Sequence, residues 1–156
     1  MAKLTVLGIG NVLMSDEGVG VRLLERVVAA RDWAQDVEFI DGGVGGLNLL
    51  NVIEEAERLV VFDAADMGLS PGEFRVITPE QVADDPAAGS RLSLHELPFI
   101  ETLKLCERFS RRPAVLRILA IQPKVVARGR ELSRELREAL GGLVEAGVGL
   151  VMESLR

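Results

Sequence analysis

Several things this 156-residue chain lacks narrow what it can be. It has one cysteine, Cys106, so no internal disulfide can form, which fits a reducing compartment. Cations are in deficit: 18 Lys+Arg face 24 Asp+Glu, a net charge of −6. Phosphate-backbone binding needs the opposite balance, so a nucleic-acid partner is not expected. Local basic patches stay possible, though none stands out. There is no run of 18 or more apolar residues, so no transmembrane helix and no membrane insertion is expected. The N-terminus, MAKLTVLGIGN, has neither the longer apolar stretch nor the small-residue cleavage site of a signal peptide. The expectation is a cytoplasmic protein. No internal repeat, low-complexity tract, G-x-S-x-G elbow or H-E-x-x-H helix is present. Only one histidine, His95, is available to any chemistry.

What is present is an ordinary globular balance, 48% hydrophobic and 27% charged. The length suits a single domain over 1–156, burying about 68–70% of its unfolded surface. Lys3 to Ile9 is short, apolar and β-branched, and reads as a buried strand. A helix follows from about Asp16 to Ala30, with Gly20, Leu23, Leu24, Val27 and Val28 at helical spacing. Asp36 to Ile40 reads as a second strand, Leu47 to Ala56 as a helix, and Arg58 to Phe62 as a third strand. Glu73 to Thr78 is a fourth strand. The connection before it is too short for a parallel crossover, so it should run antiparallel to the third. Pro79 to Ser90 looks least ordered, and a helix should follow it to about Phe109. Val115 to Ile121 is a fifth strand. Glu131 to about Ala146 is a last helix, with Leu132, Leu136, Leu140 and Leu143 on one face. The order predicts an α/β fold: a three-layer α/β/α sandwich on a five-stranded mixed sheet whose fourth strand is antiparallel.

In open α/β sheets the site lies beyond the carboxyl ends of the parallel strands. Three of those ends carry carboxylates: Asp16-Glu17, Asp41-Gly42-Gly43 and Asp63-Ala64-Ala65-Asp66. Asp16 suits a helix N-cap, which would put Glu17 in a first turn where the macrodipole favours an anion. Helix capping does not explain Gly18 and Gly20, which suggest something approaching the backbone closely. Asp63 could accept N–H groups of the next turn or serve a site. Asp41-Gly42-Gly43 could be a strand-ending turn, or a flexible lip that lets an extended ligand approach. Ser93 and Glu96 match a capping box around His95, while Pro98 allows a helix beginning just after it. Either way His95 sits near a positive helix end, which favours neutral, metal-binding imidazole. One His and two carboxylates could ligate Zn, Ni, Mn or Fe with open positions left over. Gly8-x-Gly10 also hints at a dinucleotide turn. However, Leu13 replaces the last glycine of the fingerprint, and the turn is too long. Cys106, among Leu103, Leu105 and Phe109, reads as a core or boundary residue.

The segment Gly8-Ile9-Gly10-Asn11-x-Leu13-x-x-Asp16-Glu17-Gly18-x-Gly20 resembles the N-terminal signature of the nickel–iron hydrogenase maturation endopeptidases. Asp41-Gly42-Gly43, Val60-Val61-Phe62-Asp63-Ala64, Ser93-Leu94-His95-Glu96-Leu97, Ile121-Gln122-Pro123 and Glu131-Leu132-Ser133 match further elements of that family, in its order. The resemblance implies the three-layer fold with an antiparallel fourth strand. It also implies removal of a C-terminal extension from a hydrogenase large-subunit precursor after nickel insertion. It places metal contact on Glu17, Asp63 and His95, with Glu17 and Asp63 as the catalytic carboxylates of a family often classed as aspartic-type. Asp41, Gly42 and Gly43 become second-tier substrate contacts. Nickel, carried by the client, would be the metal, with other divalent metals able to substitute. Three mechanisms stay open: recognition of the client's nickel, a metal held here that activates water, or two carboxylates sharing a proton. A metal-dependent docking module for the large subunit without catalysis, or a nucleotide-binding α/β domain, are the alternatives. The sequence departs from the family pattern at Pro98, and the 79–91 loop is of no recognisable type.

Overall fold

The computed structural model describes residues 3–45, 49–78, 99, 102–104 and 113–156. Strand β1 (Leu4–Gly8) is buried along its whole length, as a strand with neighbours on both sides and both faces covered must be. It pairs in parallel with β2 (Val37–Asp41) and with β3 (Arg58–Ala64). Strand β3 pairs in parallel with β5 (Val115–Ile121), and β4 (Phe74–Ile77) closes the edge antiparallel to β5. The order is β2-β1-β3-β5-β4. The fourth strand therefore has the expected direction, but its partner is β5, not the β3 that precedes it.

Alternation along the strands divides the core into two layers. Leu4 and Val6 of β1 and Val60 and Phe62 of β3 face helices α1 (Val19–Ala30) and α3 (Arg134–Ser154). Leu7, Ile9, Leu59 and Val61 face the other way, toward Ile53 of α2 (Leu50–Glu55) and toward Phe99 and Leu103. The expected three layers and mixed five-stranded sheet are present.

Four expectations need correction. The first helix does not begin at Asp16: a 3-10 turn, Ser15–Gly18, precedes α1, whose N-cap Gly18 has no side-chain cap. Val28, placed on the apolar face, is 43% exposed. Strand β3 runs through Asp63 to Ala64, so Asp63 stands within the strand. Helix α3 continues to Ser154, well past Ala146, and of its glycines Gly147 serves packing while Gly141, Gly142 and Gly149 face open space. A Cβ on Gly147 would lie 3.0 Å from Val27 Cγ2 and 3.4 Å from Phe62 Cζ, so glycine lets α3 settle against α1 and the sheet. The 79–91 loop, the Ser93–Glu96 capping box, His95, Pro98 and Cys106 lie outside the described residues.

Candidate active site

The carboxyl ends of β1 and β3 open into a pocket of about 260 Å³. Its walls include Ile9, Gly10, Glu17, Val44, Asp63, Asp66, Pro123 and Val126. The sheet order brings Glu17 and Asp63 together there, although they are far apart in sequence. Asp66 adds a third carboxylate. It stands in the sequence only three residues beyond Asp63, and that proximity to a strand end was the available signal for it.

Glu17 is carried by the 3-10 turn between β1 and α1 and is half-buried. The turn is pinned by Asp16, which is fully buried. Its Oδ1 accepts the Ser133 N–H at 2.7 Å, and its Oδ2 accepts the N–H groups of Lys124 at 3.0 Å and Val125 at 2.9 Å. Burial alone would raise the Asp16 pKa. The donors from Val125, Ser133 and Lys124 outweigh it and hold the carboxyl below its ordinary value. Asp16 is thus not the cap of its own helix; it joins the turn to the segment after β5 and to the start of α3.

The glycines around this turn are explained by the chain itself. A Cβ on Gly20 would lie 2.3 Å from both the Ile9 and Phe62 carbonyl oxygens. A Cβ on Gly18 would lie 2.7 Å from Val12 Cα, and one on Gly10, at φ 149°, only 2.1 Å from the Glu17 carbonyl oxygen. The close approach inferred from sequence is that of the protein's own backbone, with no cofactor needed to account for it.

Asp63 is 4% exposed. Burial pushes its carboxyl well above the usual range; the Ala64 N–H opposes this and the Glu17 charge adds to it. Its Oδ2 is buried with no hydrogen-bond partner among the described residues. A buried orphan acceptor facing a second carboxylate across a pocket is a place that suits a cation or a shared proton. Among the described residues no three His, Cys, Asp or Glu side chains gather as a metal cluster, and His95 lies outside that set.

Asp41, Gly42 and Gly43 form a tied turn that leads into Val44 of the pocket wall and do not themselves line the pocket. Asp41 Oδ1 accepts the Gly43 N–H at 2.8 Å, Gly42 N–H donates to the Gly8 carbonyl at 2.8 Å, and Gly10 N–H donates to the Gly43 carbonyl at 2.7 Å. Gly43, at φ 53°, has nothing within 4 Å of a Cβ position, so its conformation and not crowding calls for glycine. The neighbouring Val44 is 68% exposed on the pocket wall. Beyond β5, buried Gln122 orders the opposite wall. Its Oε1 accepts the N–H groups of Met67 at 2.6 Å and Leu69 at 3.2 Å, and its Nε2 donates to Asp66 Oδ1 at 3.0 Å. That hydrogen bond, with one from Gly68 N–H, lowers the Asp66 pKa.

The family model for hydrogenase maturation proteases matches residues 21–149, and the chain belongs to that family. It is 38% identical over 146 residues to the hydrogenase expression/formation protein HoxM of Cupriavidus necator, covering 93% of this chain and 72% of that one. It is 40% identical over 121 residues to the corresponding HupD protein of Bradyrhizobium diazoefficiens, covering 78% of this chain and 62% of the relative's length. The fold matches the hydrogenase maturating endopeptidase HybD from E. coli with a TM-score of 0.79 at 24% identity, over 99% of this chain and 94% of that chain.

Proposed function

We propose that this protein is the endopeptidase that removes the C-terminal extension of a nickel–iron hydrogenase large-subunit precursor once nickel has been inserted. The observation that carries the reading is the pairing, in one pocket, of Glu17 with the buried Oδ2 of Asp63, which has no partner among the described residues, in a chain of the maturation protease family. Nickel is cargo in this reading, arriving with the client. Glu17 and Asp63 are the carboxylates that meet it, and His95 is the third contact.

The division of labour follows from the environments. Glu17, the one partly exposed residue of its turn, is the group an incoming cation meets first. Asp63, buried and disfavoured as an isolated anion, gains most from a cation that offsets its charge. An unloaded client brings no such charge, so its tail is held poorly and cleavage waits for loading. Recognition of the client's nickel is thus favoured over a proton-sharing dyad, because a cation answers both the orphan oxygen and the Glu17–Asp63 repulsion.

The test is a cleavage assay on nickel-loaded and nickel-free precursor with Glu17→Gln, Asp63→Asn and His95→Ala. Shortening of the loaded precursor alone, lost in each variant, is expected. Full processing by Glu17→Gln overturns the site. A wild-type protein that retains the precursor without shortening it is a docking module instead.

A further inference from the structure

The segment after β5, Lys124-Val125-Val126-Ala127-Arg128-Gly129-Arg130, is exposed over most of its length yet unusually well fastened. Besides the two bonds to Asp16 Oδ2, Asp16 N–H donates to the Val125 carbonyl at 3.0 Å. Ser15 Oγ donates to the Ala127 carbonyl at 2.9 Å and Ser15 N–H to the Gly129 carbonyl at 2.8 Å. Gly129 N–H returns to the Leu13 carbonyl at 2.8 Å. Ser15 holds φ 53° to make these contacts, a left-handed conformation that costs a non-glycine residue about 1 kcal/mol. A Cβ on Gly129 would lie 2.8 Å from Ser15 Oγ, so the seam admits only glycine there without a shift.

So much bracing fixes the backbone that carries the outward side chains. Val126 is 54% exposed and also lines the pocket, and Leu13, across the seam, is 54% exposed. Arg128 and Arg130 make no ion pair with any described residue, whereas Lys124 is held by Glu135 at 2.6 Å. In a chain of net charge −6, Arg128 and Arg130, without an ion pair among the described residues, therefore follow Val126 on a loop that helps wall a pocket lined by three carboxylates. The charges are arranged in opposition. A cationic centre is drawn inward, and an acidic stretch of chain is repelled from the pocket and attracted to the loop.

We propose that the 124–130 loop is the docking platform for the client's extended tail, receiving an acidic segment on Arg128 and Arg130 and an aliphatic side chain on Val126. This rests on the proposed function. Fastening to the 13–16 segment keeps the platform in place before the client arrives, so less ordering entropy is lost on binding.

The experiment is steady-state processing of the nickel-loaded precursor by wild type, Arg128→Glu/Arg130→Glu and Arg128→Lys/Arg130→Lys. Arg26→Glu/Arg156→Glu, exposed elsewhere, controls for net charge. The loop reversal should raise KM about tenfold with kcat little changed, and flatten the rise of wild-type KM with salt. The lysine pair should restore most of the affinity, and the remote reversal should leave KM within about twofold of wild type. Equal KM for wild type and loop reversal, or the same increase in the remote reversal, overturns the platform. If wild type fails to shorten the precursor, the proposed function falls separately. The Kd of precursor for wild type and for the loop reversal then decides the platform alone, equal values overturning it.

Discussion

Asp16 Oδ1 accepts the Ser133 N–H at 2.7 Å, which ties a turn at one end of the chain to the N-cap of the last helix. Ser133 Oγ in turn accepts from Leu136, so helix α3 starts from a residue already held by Asp16. Replacing Asp16 with Ala leaves three buried or half-buried N–H groups without their acceptor. The expected loss is about 3–4 kcal/mol, the range for breaking a buried charged network. Thermal unfolding should show a fall in Tm of about 6–15 °C, at roughly 2–4 °C per kcal/mol. Because the donors hold Asp16 ionised below its ordinary value of 3.8, its contribution is complete above that pH and is lost as pH falls through the lowered value. The difference in stability between wild type and Asp16→Ala should therefore shrink in strong acid. An unchanged difference would mean the carboxylate charge is not what holds the seam.

Asp63 should behave in the opposite sense. Its pKa is raised in the folded protein, chiefly by burial, so the folded state binds its proton more tightly than the unfolded chain. Stability from this group is full below 3.8 and declines as pH rises through the raised value. Asp63→Asn removes the decline. It should unfold at higher temperature than wild type at neutral pH by an amount of order 1 kcal/mol, with the gain fading toward pH 4, and should process no precursor. Paired melts of metal-free protein across pH 4–8 check this; a variant no more stable than wild type at neutral pH would contradict the burial argument.

Gly20→Ala tests the contact between α1 and the sheet. The added methyl would lie 2.3 Å from two backbone carbonyl oxygens, neither of which can swing aside. Overpacking commonly costs about 1–3 kcal/mol, and backbone neighbours place this site at or above the top of that range. Gly43→Ala, by contrast, meets open space and suffers only from its left-handed conformation, about 1 kcal/mol. Chemical denaturation of the two variants should rank them in that order.

These two glycines also show how far the sequence could be read. The strands were legible because runs such as Leu59 to Phe62 are apolar without a break, as burial on both faces requires. The Asp63 carboxyl was legible as a strand-end group because topology puts sites there. The crowding at Gly18 and Gly20 was legible, but its cause was not. The carbonyls concerned belong to Ile9 and to Phe62, and only the folded sheet brings Phe62 beside α1. Asp16 read as a cap for the same reason: its true partners stand more than a hundred residues away. The end of α3 was misjudged because glycine is a poor helix former in isolation, whereas here Gly147 gains packing against Val27 and Phe62. The basic loop did not stand out in a chain of negative net charge until its fastening to Ser15 and Asp16 fixed it beside the pocket.

Gln122 gives the last prediction. Its Oε1 satisfies two backbone donors, of Met67 and Leu69, in the connection between β3 and β4, and its Nε2 holds Asp66 Oδ1. Gln122→Leu keeps the bulk and strips every one of these bonds, leaving the Met67 N–H, itself buried, without its acceptor. A cost of about 2–3 kcal/mol is expected. Gln122→Glu keeps the acceptor for both N–H groups but sets a second carboxylate against Asp66, which now lacks its donor. Its defect should therefore depend on pH. It should be small in acid, where the new carboxyl is protonated and can donate to Asp66, and should grow as pH rises and both groups ionise. Since Asp66 lines the pocket, this variant should also lose processing efficiency toward alkaline pH, while Gln122→Leu shows a pH-independent deficit. Melting curves and cleavage rates taken in parallel from pH 5 to 8 separate the two patterns. Identical pH profiles for both variants would show that Gln122 acts by shape alone and not through its bond to Asp66.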